Sequence, residues 1–167
     1  CTFPNGEPSE KIWQFNNLEK LKISNCGMTI LPRNVGKLCK LKHLEVADSV
    51  GHIPAEIIDC KDLETLEING GLKHLPPEIG QMPKLKKVAL PRSNIKTLPR
   101  EIGDLSNLET LEVQSGEFKL IPRQIGNLCK LKSLCVTGNN IRIFPAEIKN
   151  CTELEELVVK GGISVPE

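Results

Sequence analysis

Seven copies of one short phrase run through this chain, and that period constrains its fold more than anything else in it. LPREIGDLSNLETLEV, from Leu98, and IPRQIGNLCKLKSLCV, from Ile121, are two neighbouring copies. The leading Leu of each repeat falls at Leu18, Leu41, Leu63, Leu85, Leu108, Leu131 and Leu154, in steps of 22 or 23 residues. Each copy then alternates apolar and variable positions, as in Leu108, Leu111 and Val113. Alternation of this kind is strand-like, with apolar side chains on one face. One strand per repeat predicts a parallel sheet, with strands about 4.8 Å apart. No single coil can bury its apolar side alone, so stacking is obligatory.

Two further columns complete the coil. A Pro recurs at Pro32, Pro54, Pro76, Pro99, Pro122, Pro145 and Pro166. Its fixed φ suits the first turn of a helix. After it, Ile79 with Met82 and Ile102 with Leu105 stand three apart, which reads as a short helix or 3-10 turn on the convex side. Before the first full repeat, Ile12 and Phe15 align with Ile102 and Leu105, so SEKIWQF is a partial convex segment. Trp13 falls where later repeats often carry Gly; a cap packed over the first coil is favoured over an exposed binding Trp.

A period of 20–29 residues with this pattern resembles the leucine-rich repeat superfamily. The LPxxIGxLxxLxxL phrasing is similar to its Ras-group class, to the LAP scaffold proteins and to the repeat domains of plant NLR immune receptors. The resemblance implies an α/β solenoid, with a parallel sheet on its concave face and short helices or 3-10 turns on its convex face. It also implies a protein-recognition role and carries over no catalytic residue. The chain departs from the pattern in the Asn/Cys column, filled by Cys26, Ser49, Gly71, Ser93, Gly116, Asn139 and Gly162. An Asn there would satisfy loop backbone groups, so its rarity predicts looser turns or bound water. Residues 1–17 are expected to form a cap and partial repeat, and 18–167 seven repeats in one domain. Val165-Pro166-Glu167 supplies no polar end cap, so the natural chain is expected to continue or that end to pair with another copy.

Charge and composition exclude several classes. With 22 basic and 21 acidic residues the net charge is +1, which provides no bulk field for nucleic acid or an anionic membrane. Aromatics are 3% of the chain, too few for the stacking platforms of a single-strand nucleic-acid binder. No apolar run approaches the roughly 18 residues of a membrane span. No glycine-rich phosphate loop is present, since Gly70-Gly71 and Gly161-Gly162 read as turn pairs. No cofactor is expected.

Seven cysteines are too odd a number for a complete disulfide framework. Cys60 and Cys151 share the convex apolar column with Leu38, Leu105 and Leu128; Cys39 and Cys129 share another. Partners in one column lie four coils apart, roughly 19 Å, against the about 7 Å between Cα atoms that a disulfide permits. Free buried thiols suit a reducing compartment, so a cytoplasmic setting is expected. A secreted or cell-surface form is the alternative, with Cys1 as an acylated residue or the remnant of a disulfide-bonded cap. The sequon Asn150-Cys151-Thr152 is discounted because its Cys lies in a core column. His52 and His74 should stack on neighbouring coils, and no Cys or carboxylate completes a metal set there. Cys135 faces the concave side, four strands from His43, so a Cys–His dyad is excluded and no enzyme is expected.

The outward strand positions are the candidate working surface. One column holds Lys20, His43, Thr65, Lys87, Thr110, Ser133 and Glu156. The next holds Lys22, Glu45, Glu67, Ala89, Glu112, Cys135 and Val158. The third holds Ser24, Ala47, Asn69, Pro91, Gln114, Thr137 and Lys160. A protein or peptide partner is expected on a central patch of His43, Glu45, Glu67, Lys87 and Glu112, with Arg92 and Gln114 on its rim. Glu45 and Glu67 are like charges on adjacent strands, which is unfavourable, and His43 and Lys87 are expected to offset them. The rival reading is the ligand-sensing segment of a larger signalling or immune-receptor enzyme, or an extracellular ligand-binding module. End-to-end self-association stays open.

Overall fold

The computed structural model describes residues 10–138, 141 and 143–161. Its strands are β1 (Lys20–Ser24), β2 (His43–Ala47), β3 (Thr65–Ile68), β4 (Lys87–Ser93), β5 (Thr110–Ser115), β6 (Ser133–Thr137) and β7 (Glu156–Lys160). They form one sheet in chain order with every neighbouring pair parallel. Register follows the repeat: Leu21, Leu44, Leu66, Val88, Leu111, Leu134 and Leu157 are successive partners. Side chains alternate between faces, so this column and the one through Ile23, Val46 and Ile68 point together into the core. Leu157, on the last described strand, is the exception at 48% exposure.

The chain returns across the opposite side through five-residue 3-10 helices, such as Arg33–Lys37 and Arg100–Asp104. Each recurring Pro is the extended residue before its helix, with φ near −70° and ψ of 132 to 151°, so it caps the turn rather than occupying it. Pro166 lies outside the described residues. Ile79 and Met82 are buried, as are Ile102 and Leu105. A Cβ on Gly36 would stand 2.6 Å from the carbonyl oxygen of Glu56 on the next coil, so glycine in this column is a condition of close stacking. In the partial repeat, Glu10–Gln14 forms the same 3-10 turn and Trp13 is 2% exposed within the core cluster, the cap arrangement. Phe15 is 58% exposed, unlike the buried Leu38 and Leu105 of its column.

The Asn/Cys column is where the structure departs most from the regular pattern. Leu90 pairs with Val113 but Ser93 pairs with Ser115, so Pro91 and Arg92 together oppose the single Gln114. This is a β-bulge at a residue that has no N–H to give to a ladder. It moves Ser93 beside Ser115 rather than Gly116. The bulge carbonyls of Pro91 and Arg92 accept the N–H groups of Gly70 and Gly71, at 3.0 and 3.3 Å. Both glycines have positive φ, 109° and 74°, which explains the Gly pair. At two of these turns a side chain takes up loop backbone groups: Asp48 after β2 and Ser115 at the end of β5. The Ser115 hydroxyl donates to the Ile95 carbonyl at 2.8 Å and accepts from the Glu117 N–H at 3.3 Å.

Candidate partner-binding face

The three expected columns lie on the face of the sheet turned away from the core. The first two follow the strand register without interruption: Lys20, His43, Thr65, Lys87, Thr110, Ser133, Glu156, and beside them Lys22, Glu45, Glu67, Ala89, Glu112, Cys135, Val158. The third is continuous only at its ends, Ser24 with Ala47 and Gln114 through Thr137 to Lys160; the bulge breaks it at Pro91.

Glu45 and Glu67 are register partners on β2 and β3. Their repulsion is offset from both sides. Lys22 Nζ lies 2.6 Å from Glu45 Oε1 and Lys87 Nζ 3.6 Å from Glu67 Oε2. The hydrogen bond from Lys22, then the charge of Glu45, holds that ammonium above the usual lysine range. His43 does not take the role expected of it: its Nδ1 is 3.2 Å from the hydroxyl of Thr65. Lys22, left out of the expected patch, is therefore the residue that completes the acidic centre. The Gln114 amide donates to Glu112 at 2.6 Å, which orients that carboxylate.

Arg92 is the singular group on the rim. Its backbone sits at φ 53°, a left-handed conformation unusual for a residue with a side chain. The bulge holds it there, exposed, and among the described residues it has no ion pair. It lines two shallow hollows at the C-terminal ends of the strands, one of about 650 Å³ with Asp48 and Asn69, the other of about 610 Å³ with Gln114 and Lys160.

The apolar members of the second column are Ala89, Cys135 and Val158, and they are not equally accessible. Ala89 lies between Glu67 and Glu112 in register and is 1% exposed, so the accessible apolar part begins at Cys135 and Val158. Burial, then Glu112 and Glu156, pushes the Cys135 thiol up, the opposite of what a nucleophile needs. His43 is on β2 and Cys135 on β6, with three strands between them. The His52 and His74 rings stack with centroids 6.0 Å apart, away from this face on a short bridge of their own. Among the described residues no three His, Cys, Asp or Glu side chains come together as a metal site. The described cysteines are all free thiols: Cys26, Cys60 and Cys151 buried, Cys39 and Cys129 exposed, Cys135 intermediate. No helix among the described residues is long and apolar enough to cross a membrane.

One ordered feature borders the face at the strand entrances. Lys40-Leu41-Lys42, Lys84-Leu85-Lys86 and Lys130-Leu131-Lys132 occupy every second coil. They alternate with Asn17-Leu18-Glu19, Asp62-Leu63-Glu64 and Asn107-Leu108-Glu109. Each lysine reaches back to the coil before it. Lys42 meets Glu19 at 3.0 Å, Lys86 meets Glu64 at 2.9 Å and Lys132 meets Glu109 at 3.1 Å. Beside them Lys40 bonds Asn17, Lys84 bonds Asp62 and Lys130 bonds Asn107, at 2.6 to 2.8 Å. The signal was available in the sequence, as a charge alternation over two repeats rather than one.

Comparison with known proteins agrees with this geometry. A family model for the leucine-rich repeat region matches residues 78–164. No curated protein matches the chain significantly. Among solved structures it is similar to a leucine-rich repeat protein of Leptospira interrogans, at 27% identity and a TM-score of 0.73, over 95% of this chain and 47% of that one. It is similar in fold to an internalin of Listeria monocytogenes, at 20% identity and a TM-score of 0.80, over 95% and 46%. The Arabidopsis receptor kinase HAESA, solved with the peptide hormone IDA and the co-receptor SERK1, is similar in fold at 22% identity and a TM-score of 0.77, over 97% and 28%. The chain thus spans less than half the length of each of these structures.

Proposed function

This chain belongs to the leucine-rich repeat family, and from that premise we propose that it is a non-catalytic binding module taking a protein or peptide partner on the exposed face of its sheet. The observation that carries the reading is the rigid, polar centre of that face. Glu45 and Glu67 stand on adjacent strands of one column and Glu112 two strands beyond, each held by a neighbouring Lys or Gln. Pre-oriented charges of this kind cost a partner little ordering on binding. His43 and Lys87 flank the column, and Arg92 and Gln114 close its rim. HAESA, of similar fold, is described with a peptide hormone, which supports a protein or peptide ligand for this chain.

The setting proposed is cytoplasmic, supported by the six free thiols among the described residues. The second reading, a ligand-sensing segment of a larger receptor, at the cell surface or inside the cell, draws support from the receptor kinase among the similar folds. A kinase or nucleotide-binding domain in the same reading frame would select it.

The experiment is a selection of linear peptides from a random display library against the chain, with each binder then measured against two variants. Glu67→Ala with Glu112→Ala should weaken binding at least about tenfold, as truncation of central interface residues commonly does. Lys37→Ala with Glu101→Ala, on the convex side, should change it less than about twofold, as expected of residues outside the interface. The reverse pattern would show that the working face is the other one.

A further inference from the structure

We infer that one flank of the solenoid is a second docking surface, shaped for an acidic amphipathic helix of a partner protein. Each coil leaves the sheet and exposes the side chain two residues before its Pro: Ile30, His52, His74, Thr97, Leu120 and Ile143. None of these is a carboxylate, lysine or arginine. Ile30, Leu120 and Ile143 are 62%, 51% and 65% exposed, and they are three of the five large apolar side chains left exposed among the described residues. The other two, Phe15 and Leu157, lie on the first and last described coils, where stacking is incomplete. The flank has no such explanation, because Leu120 is covered by a coil on either side and still points outward. Leu120 and Ile143 are neighbours on successive coils, and His52, His74 and Thr97 stand between them and Ile30; exposed apolar side chains gathered on one flank of a folded surface mark an interaction site.

The stripe is held in register by backbone. His52 bridges His74 and Thr97 bridges Leu120, both parallel. The Gly51 N–H donates to Thr29, Lys73 to Gly51 and Lys119 to Lys96, at 2.8 to 3.0 Å. A partner lying along the stripe crosses these coils at right angles, so it cannot extend their ladder. It must satisfy its own backbone, as a helix does. The spacing agrees: coils repeat at about 4.8 Å at the strands and the stacked His rings at 6.0 Å, while one helical turn rises about 5.4 Å. Five steps from Ile30 to Ile143 at about 4.8 to 6.0 Å span about 24 to 30 Å, the length of about 16 to 20 helical residues.

Charge decides the partner's sign. The residue before the stripe is Lys73, Lys96 and Lys119 on three successive coils, and beyond the Pro stand Arg100 and Arg123. Lys96 pairs with Glu117 and Arg100 with its neighbour Glu101. Lys73, Lys119 and Arg123 are exposed and have no ion pair among the described residues. A seam apolar at Ile30 and at Leu120 and Ile143, with Lys73 and Lys119 uncompensated on one bank and Arg123 on the other, fits a helix whose Leu face is bordered by Glu.

The test uses a fluorescent synthetic helix of about 18 residues, with Leu on one face and Glu on its borders, beside a version with Lys for Glu and one with a central Pro. The Glu helix should bind the full chain, and both controls should bind at least about tenfold more weakly. Leu120→Ser with Ile143→Ser should weaken the Glu helix at least about tenfold. Lys119→Glu with Arg123→Glu should weaken it at least about fivefold and flatten its salt dependence. These side chains are exposed, so circular dichroism should match that of the parent. Glu67→Ala with Glu112→Ala should leave this binding unchanged, which separates it from the sheet face. Equal binding of the three helices, or no effect of the stripe variants, would overturn the inference. So would a dimer in sedimentation that the Leu120→Ser, Ile143→Ser variant dissolves, since a second copy would then be the occupant.

Discussion

Asp48 holds the amide of Cys26 from the neighbouring coil, with both carboxylate oxygens 3.2 Å from that N–H and one of them 3.4 Å from the N–H of Met28. Asp48 is 9% exposed, so its carboxylate is committed to this task. It stands one position before the column where an Asn would serve the same loop. The acceptor has therefore moved by a residue and by a coil.

Removing that acceptor leaves buried N–H groups without a partner. Asp48→Ala should destabilise the chain by about 1–3 kcal/mol, the usual cost of an orphaned buried donor. Asp48→Asn keeps one carbonyl oxygen and should lose less. Urea denaturation of the two variants gives the ordering, and equal losses would show that the loop does not depend on an acceptor at 48.

Close stacking on the convex side predicts a cost for the smallest enlargement. Gly36→Ala places a methyl 2.6 Å from the Glu56 carbonyl oxygen, a backbone atom that cannot swing aside. The coils must separate, at about 1–3 kcal/mol. Gly51→Ala, where the nearest atom is 4.0 Å away, is the matched control and should be close to neutral. Thermal melts of the pair distinguish steric exclusion from a general intolerance of Ala for Gly.

The lysine–carboxylate ladder predicts a pH window. Asp62 and Glu64 are held below the usual carboxylate range, first by hydrogen bonds from Lys84 and Lys86 and then by their charges. A depressed carboxylate contributes stability above its unfolded pKa, near 4, that is lost as pH falls through its folded value. Lys84 and Lys132 are raised by Asp62 and Glu109, so their contribution is present below about pH 10.4 and is lost as pH rises past their folded values. The ladder's contribution should be flat from about pH 5 to pH 10 and fall on both sides. These pairs are exposed, so high salt should shrink the effect. A melting temperature that falls steadily between pH 5 and 9 would contradict it.

Thiol chemistry should follow burial. Burial pushes the Cys60 thiol up to about 12 and raises that of Cys151 as well. Brief alkylation of the native chain at pH 8 should modify Cys39 and Cys129 first, and reach Cys26, Cys60 and Cys151 only after denaturation. Mass spectrometry of the peptides reads the order; early labelling of Cys60 would show that the convex side opens.

The pairing of Glu45 and Glu67 in register bears on stability. Like charges in register suggest that Glu67→Ala should raise the melting temperature. Lys22 and Lys87 already neutralise the pair, so the substitution also removes the Lys87 contact and no rise is expected. A clear increase would mean that repulsion outweighs both lysines.

The repeat period determined the coil, the parallel sheet and the register of its first two outward columns, because a side-chain alternation of two and a step of 22 or 23 residues leave one consistent stacking. The outward placement of His43, Glu45, Glu67, Lys87 and Glu112 was legible for that reason. What the period could not specify is which groups meet between coils. That Pro91 forces a bulge, that the bulge turns Arg92 into a left-handed conformation on the rim, and that Asp48 rather than an Asn caps the Cys26 loop were decided only when the coils were stacked. Each depends on contacts about 20 residues apart in the chain, where a shift of a single residue in register changes the partner of every hydrogen bond. The periodicity specifies the coil and its register; which groups meet between coils belongs to the tertiary structure.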